Sequence, residues 1–356
     1  MKNKLVVFDN VTFSFQKAGG VPSVCINIMQ RVINSGRYDY LCVEDEKAKE
    51  NIFREQMDIP DSKIKKLPTC LRKIYRYKDI TIKNDKPFIY QTSYYRISKS
   101  KNARNVVIVH DFMYELFSKP GLALTVHKWQ KYHAIRHATR IVCISENTKQ
   151  DLFRFCPDVN PNKVVVIYNG VSDDYKPLKE KTVPYKDYFL VVGGRLGYKN
   201  FPFAVDAVSK TKKNLVICGN PLTEQERNLL NEKLGSKRYV EVINPSNEKL
   251  NELYNSAFCL AYPSSYEGFG IPVVEAQKAG CPVIAYNASS IPEIIGDTPL
   301  LMQQLTIEEF LAKVDLLQKE GIREAVITKG LRNAERFSWD IIAQQYMALY
   351  DEVLNE

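Results

Sequence analysis

Residues 257–297 read AFCLAYPSSYEGFGIPVVEAQKAGCPVIAYNASSIPEIIGD. The run 258–262 is short and apolar and predicts a buried strand. The turn Pro263-Ser264-Ser265-Tyr266 follows, then Glu267-Gly268-Phe269-Gly270, with Pro272 at a first helical position. Residues 273–278 carry the helix, Gly280 closes it, and 281–286 is the next strand. Such a strand–glycine turn–helix–strand unit places ligands at the carboxyl ends of its strands, where a helix N-terminus turns free N–H groups outward. Gly268 and Gly270 let backbone amides approach a ligand that a Cβ would hold off. Glu267 precedes the helix and Glu275 lies about one turn inside it, with seven residues between them. Taken singly, each has an ordinary account: a surface carboxylate, and a helix-favouring Glu near the positive end of the dipole. In this string they read as one carboxylate for a sugar-like head and one for a more distant hydroxyl pair.

The stretch resembles the donor-site signature of retaining glycosyltransferase family 4, of the GT-B fold. The resemblance implies that Glu267 meets the donor sugar and Glu275 the ribose of the nucleotide. Ser265, Gly268, Phe269, Gly270 and Ile271 would line the same donor site.

Totals are consistent with such an enzyme. A chain of 356 residues suggests two domains, each large enough for its own core. No apolar run approaches the ~20 residues that span a bilayer. The opening MKNKLVVFDNVTF reads as a first strand rather than a signal peptide. The eight cysteines include no C-x-x-C pair, and several sit in apolar strands, which predicts reduced, buried thiols in a cytosolic protein. His133 and His137 are four apart on a helix but have no zinc-like partner spacing. The net charge of +9 is uneven: residues 1–180 hold 31 Lys and Arg against 19 Asp and Glu, net +12, and residues 181–356 hold 19 against 22, net −3. A basic first half suits an anionic surface such as lipid headgroups, a lipid-pyrophosphate acceptor or nucleic acid, and equally a merely solvated surface.

In chain order, residues 4–9 predict the first strand, and Gly19-Gly20 precede a helix to about Val32. A glycine pair there either cradles a phosphate or simply turns the chain. It resembles the family's N-terminal glycine loop, which faces the donor diphosphate, although Val-Pro-Ser follows the glycines here. Residues 38–43 are a second strand, and Glu44-Asp45-Glu46 reads as its solvated end rather than a metal-binding D-x-D. Residues 47–86 are charged; Lys63, Lys65, Lys66, Arg72, Lys73, Arg76 and Lys78 interleave with Tyr75 and Tyr77. That pattern suits an interfacial or acceptor-facing segment, or a solvated helix. Strands at 87–91 and 105–110 follow, the second ending in His110-Asp111. Family members similar here carry a His-Asp pair whose His contacts the donor sugar. A basic helix spans 128–139 and a strand 140–145. Ser145-Glu146 either shapes the acceptor side or caps the next helix. Residues 164–167 are a strand, and the charged, proline-bearing stretch 172–185 reads as a linker.

Residues 188–193 begin the second half, followed by Gly194, Arg195 and Lys199 before a helix from about Pro202. Strand end, glycine turn, two cations and a helix N-terminus are what a diphosphate needs. The string matches the family motif in which Arg195 and Lys199 hold the donor pyrophosphate and stabilise the leaving group. Strands at 215–219 and 239–243 follow; in relatives the latter, ending at Ile243, presents backbone to the nucleobase. Helices are expected at 222–235, 247–257, 307–320, 322–337 and from 337 to 354.

Alternating strands and helices predict parallel sheets covered on both faces. The expected α/β architecture is GT-B, with two Rossmann-like domains facing each other across a cleft: residues 1–174, a linker 175–186, a donor-binding domain 187–336, and a C-terminal helix 337–356 crossing back to the first domain. The resemblance implies transfer of a hexose, with retention, from a nucleotide sugar to a glycan or lipid-linked glycan. His110, Arg195, Lys199 and Glu267 would be catalytic; Gly19, Gly20, Gly194, Arg195, Lys199, Ile243 and Glu275, with the turn residues above, would bind the donor. No metal and no cofactor are expected. Resemblance to mannosyltransferases of surface-polysaccharide pathways favours GDP-mannose over UDP-glucose or UDP-N-acetylglucosamine. The expected location is cytoplasmic, peripheral at the inner membrane face. The rivals are a GT-B-type UDP-sugar epimerase and a non-catalytic nucleotide-sugar or nucleic-acid binder; nucleic acid is disfavoured because only residues 63–78 offer basic residues interleaved with aromatics.

Overall fold

The computed structural model describes residues 4–180 and 183–356. Met1, Lys2 and Asn3 at the N-terminus, Lys181 and Thr182 of the expected linker, and the side chains of Leu71, Arg72 and Lys73 lie outside the described residues. The chain forms two compact units, one of Met1–Gly170 with Trp339–Glu356, the other of Val171–Ser338.

The first unit contains strands β1 (Leu5–Asp9), β2 (Asp39–Glu44), β3 (Ile64–Lys66), β4 (Phe88–Gln91), β5 (Ala103–Val109), β6 (Arg140–Cys143) and β7 (Val164–Val166). They pair in parallel in the order β3-β2-β1-β4-β5-β6-β7. The second contains β8 (Tyr188–Val192), β9 (Asn214–Gly219), β10 (Tyr239–Ile243), β11 (Cys259–Tyr262), β12 (Val283–Tyr286) and β13 (Leu301–Met302), in the order β10-β9-β8-β11-β12-β13. Both orders are the Rossmann one, so each sheet has a switch point: between β1 and β4, and between β8 and β11. Most of these strands are buried Val, Ile, Leu and aromatic runs, the signature of sheets covered on both faces. The sequence had not revealed β3 and β13, which are too short to show a period.

Helices connect the strands: α1 (Gly20–Asn34), α2 (Arg72–Tyr75), α3 (Met113–Phe117), α4 (Leu122–Arg136), α5 (Glu146–Phe155), α6 (Phe201–Ser209), α7 (Glu224–Lys233), α8 (Asn247–Ser256), α9 (Ile271–Lys278), α10 (Ile291–Ile295), α11 (Ile307–Leu317), α12 (Ile322–Ala334) and α13 (Trp339–Asn355). Helix α4 starts at Leu122, a full turn and more before the expected Lys128; Gly121 supplies its N-cap. Helix α13 packs back on the first unit, against α1 and β4. Tyr350 donates to Gln91 Oε1 at 2.8 Å, Tyr38 to the Met347 carbonyl at 2.9 Å, and Lys4 pairs with Asp351 at 2.8 Å. Gly170 lies against Trp339; a Cβ there would sit 2.4 Å from the indole.

The carboxyl ends of β1 and β2 hold buried charge. Asp9 and Arg96 form a bidentate pair with Nε–Oδ2 at 2.9 Å, and Arg96 also donates to the Tyr75 carbonyl at 3.0 Å. Glu44 is buried too, bonded by Arg54 at 2.7 and 2.9 Å and by Asn10 at 2.7 Å. The expectation of a solvated strand end is thus wrong for Glu44: Arg54, ten residues on, folds back to neutralise it. Asp45 instead caps a short 3-10 turn through the Lys47 N–H.

Removing one partner of a fully buried pair strands the other charge. Arg96→Ala is expected to cost about 3–5 kcal/mol in urea unfolding, and Asp9→Ala added to it to recover part of that loss. A double variant no more stable than Arg96→Ala would show that Asp9 is not the reason for the loss.

Candidate active site

At the switch point of the second unit, the loop after β8 meets the loop after β11. Asn200, in a left-handed conformation at φ 52°, donates to the Pro263 carbonyl at 2.8 Å and to Ser265 Oγ at 2.6 Å. The Ser265 N–H donates to the Tyr198 carbonyl at 2.8 Å. This stitching brings Lys199 onto Glu267, with Nζ 2.5 and 2.6 Å from the two carboxylate oxygens. Tyr262, at the end of β11, donates to Glu267 Oε1 at 2.7 Å. The Glu267 backbone is fixed as well: its N–H donates to Ser289 Oγ at 2.9 Å, and Ser290 Oγ lies 2.9 Å from the carbonyls of Glu267 and Phe269. Gly270 then opens α9 at φ 103°, where a Cβ would press Ile291 at 3.1 Å.

Glu275 sits farther along α9. Tyr254 of α8 donates to its Oε2 at 2.9 Å, and Tyr175 faces it as well. Burial pushes the Glu275 carboxyl up to about 7, against the lowering effect of the two tyrosines. Tyr175 falls in the stretch read as linker, yet it is buried in the second unit against Tyr254.

Other expected donor residues sit differently. The Arg195 side chain is only 5% exposed: Nε is 2.7 Å from Glu226, and Nη2 reaches the carbonyls of Asn220 and Pro221 at 3.0 and 2.9 Å. Nη1 is buried and has no partner among the described residues. Glu226 is also the capping-box residue of α7, so Arg195 fastens the turn after β8 to that helix start. Gly194 is exposed with open space around it; Gly193, at φ 98°, is the position that requires glycine. The Phe269 ring is core, edge-on to Phe337 at 5.5 Å, so only its backbone belongs to the turn. Ile271 is the first residue of α9, and Ile243 closes β10 with its side chain exposed.

In the first unit, Gly19 and Gly20 are exposed at the start of α1, whose N-terminus has no side-chain cap. His110 follows β5, with Nε2 buried and unpartnered among the described residues. Burial lowers it to about 4; Asp111 pulls it up and Lys131 down, so the imidazole is neutral at pH 7. Lys131 is itself buried, held by the Asp111 carbonyl at 2.5 Å and by Glu115 at 3.1 Å. The basic segment before it is tied inward: the Arg76 guanidinium lies 4.4 Å from the Tyr94 ring and 5.0 Å from Phe15. Among the described residues no three His, Cys, Asp or Glu side chains gather as a metal-binding group.

Sequence reasoning missed Asn200, Tyr262, Ser289, Ser290, Tyr254 and Tyr175. The two serines and Tyr262 lie inside the 257–297 stretch and were within reach of it. Tyr175 and Tyr254 carry no local signal, because only the fold brings them to Glu275.

Two family models match the chain: glycosyl transferases group 1 over residues 175–333 and glycosyltransferase family 4 over residues 19–175. Together they account for residues 19–333, and the chain belongs to the glycosyltransferases these models describe. The O-antigen chain mannosyltransferase B of Escherichia coli is 26% identical over 239 residues, 62% of this chain. The chain spans 62% of that relative's length. Among solved structures, a sucrose-phosphate synthase from Thermosynechococcus elongatus is similar at TM-score 0.75 and 15% identity, over 99% of this chain and 100% of that one. Anabaena HepE, in complex with UDP and glucose, is similar at TM-score 0.75 and 14% identity, over 98% and 100%. At these identities the likeness is one of fold, and that fold is GT-B.

Proposed function

We propose that this chain is a retaining hexosyltransferase that moves a hexose from a nucleotide sugar to a hydroxyl of a glycan or lipid-linked glycan. The observation that carries this reading is the Lys199–Glu267 pair at the second switch point, with the half-buried Glu275 on the helix that the same turn opens. In the free protein the pair keeps both charges satisfied. A donor exchanges partners with it: the diphosphate takes Lys199, and the hexose hydroxyls take Glu267. Ribose hydroxyls then donate to Glu275, and Ile243 borders the base. Arg195 anchors the turn after β8, with Nη1 left for the phosphates.

In the proposed reaction the bond between the anomeric carbon and the phosphate oxygen breaks, and the nucleoside diphosphate leaves. The acceptor oxygen bonds the anomeric carbon on the same face, and its proton passes to the departing phosphate oxygen. No metal and no cofactor enter this reading. GDP-mannose is the preferred donor, supported by the mannosyltransferase relative and the SSIPEIIGD resemblance. UDP-hexose and UDP-N-acetylhexosamine are the rival donors.

The test is turnover of a panel of GDP- and UDP-sugars with polyprenyl-diphosphate-linked glycans, followed by NMR of the product anomer. GDP-mannose is expected to give an α-linked product. Lys199→Ala and Glu267→Ala are each expected to lower kcat/KM by about 10²–10³. Release of free UDP without any acceptor would point to an epimerase instead, and an inverted anomer would overturn the same-face step.

The acceptor reading extends to a lipid surface. We propose that the first unit meets anionic membrane through α3 and α4. Tyr114, Phe117, Leu122 and Trp129 expose 43, 47, 82 and 56% of their surface there. Leu122 and Trp129 share a face of α4, seven residues apart, while Ala134 and Ile135 are buried in the core. The first unit holds 29 Lys and Arg against 20 Asp and Glu, and the second 21 against 21, so the whole net charge lies in the first. Apolar and aromatic tips among cations suit a negatively charged interface. Vesicles containing phosphatidylglycerol are expected to sediment the protein and phosphatidylcholine vesicles not to. A Leu122→Glu/Trp129→Glu variant is expected to stay in solution. Equal binding to both lipids, or none to either, would contradict the proposal.

A further inference from the structure

Glu275 is ringed by hydroxyl groups rather than cations. Tyr254, fully buried on α8, donates to Oε2 at 2.9 Å. Tyr175 approaches from the start of the second unit, its ring edge-on to Tyr254 at 5.9 Å and 74°. The Tyr175 hydroxyl donates to Asn247 Oδ1 at 3.2 Å and lies near enough to Glu275 to favour its ionised form. Asn247 Nδ2 donates to Asp174 at 2.8 Å, which leaves Oδ1 as the acceptor facing Tyr175. Hydrogen bonds thus link Asp174, Asn247 and Tyr175, and Tyr254 bonds Glu275 directly.

We propose that Tyr175 and Tyr254 are positioning residues for Glu275, holding its carboxylate so that the two free acceptor directions meet a vicinal diol. A carboxylate has about four lone-pair directions. Tyr254 takes one, Tyr175 takes a second when its hydrogen turns from Asn247, and a diol has two O–H groups to fill the remainder. The proposal rests on the reading of Glu275 as the ribose-binding group.

The arrangement also ties diol binding to a proton. Tyr175 has one hydroxyl hydrogen and two acceptors for it. With Glu275 protonated, the acid O–H donates to the Tyr175 oxygen, and the Tyr175 hydrogen goes to Asn247. With Glu275 ionised, the Tyr175 hydrogen turns to the carboxylate. Among the described residues no cation stands by to favour ionisation. The ionisable groups around Glu275 are Tyr254, Tyr175 and, on β11, Tyr262, whose hydroxyl serves Glu267. Lys278, on the same helix, is spent on the Val171 carbonyl and Asp173. Burial accordingly leaves the carboxyl near pH 7, and the two tyrosines are what keep it from rising further. A diol that donates to the carboxylate binds the ionised form, so its affinity falls as pH drops below that range.

The test compares wild type with Tyr254→Phe, Tyr175→Phe and Glu275→Gln, in two readouts. Calorimetric titration of GDP, UDP and their 2′,3′-dideoxy analogues from pH 5.5 to 8.5 gives the first. Wild-type affinity for the ribonucleotides is expected to fall by up to about tenfold per pH unit below about 7, the limit for uptake of one proton. Each Phe variant is expected to move that fall to higher pH and to weaken binding about 10–100-fold at pH 7, since a lost hydrogen bond to the charged form is worth roughly that much. The dideoxy analogues should show neither effect, and Glu275→Gln should bind the ribonucleotides more weakly at every pH, with no fall below about 7. A profile unmoved in both Phe variants would overturn the proposal. The second readout is the titration of Glu275 itself, by carbon NMR of labelled glutamate without nucleotide. It is expected to move upward in both Phe variants, and an unmoved titration overturns the clamp whatever the nucleotides do. Absence of binding by every nucleotide, with the NMR shift present, would sink the donor-site reading and leave the clamp standing.

Discussion

The second unit depends on one constraint: two loops that leave adjacent parallel strands must be held together at the point where the strand order reverses. The chain connections diverge there, so nothing covalent closes the gap. Lys199 and Glu267 close it with two charge-assisted hydrogen bonds, and Asn200 doubles the closure through Pro263 and Ser265. Charged bonds of this kind are shorter and stronger than neutral ones. They are also exchangeable, since an anionic ligand offers Lys199 an alternative partner. The same feature braces the turn and, in the proposed function, yields Lys199 to the ligand. Ser289 and Ser290 hold the Glu267 main chain, so the carboxylate can change partners without the turn moving.

The first unit treats its corresponding point in another way. Asp9, Arg96, Glu44, Arg54 and Asn10 fill the carboxyl ends of β1 and β2 with paired charge. Such pairs stabilise little over apolar packing but penalise any alternative arrangement heavily. Helix α13 then seals the sheet through Tyr38, Tyr350 and Asp351. One switch point holds fully buried paired charge, and the other a pair that is partly exposed.

Much of this is legible in the chain. The strand–turn–helix pattern of 257–297 fixes β11, α9 and β12 because its signals are local: an apolar run, glycines where φ is positive, a proline at the start of a helix. Glu267 and Lys199 stand out because each lies in a glycine-bearing turn that follows a strand. What stays hidden is long-range. Glu226 claims Arg195 from thirty-one residues away, Arg54 folds back on Glu44, and Phe337 takes the Phe269 ring into the core. Tyr175 lies among Asp, Lys and Pro and reads as linker, yet it is buried beside Glu275. Pairing across a fold leaves no period for a sequence to show.

The central claim is that the second unit binds a nucleoside diphosphate through Glu267, Lys199 and Glu275. The most direct measurement is thermal stabilisation of the whole chain by GDP and UDP, with Glu275→Ala alongside. The account predicts a rise of several degrees with one of the two at saturating ligand, and a much smaller rise in Glu275→Ala. An unchanged melting temperature with both nucleotides, in a folded protein, would contradict it.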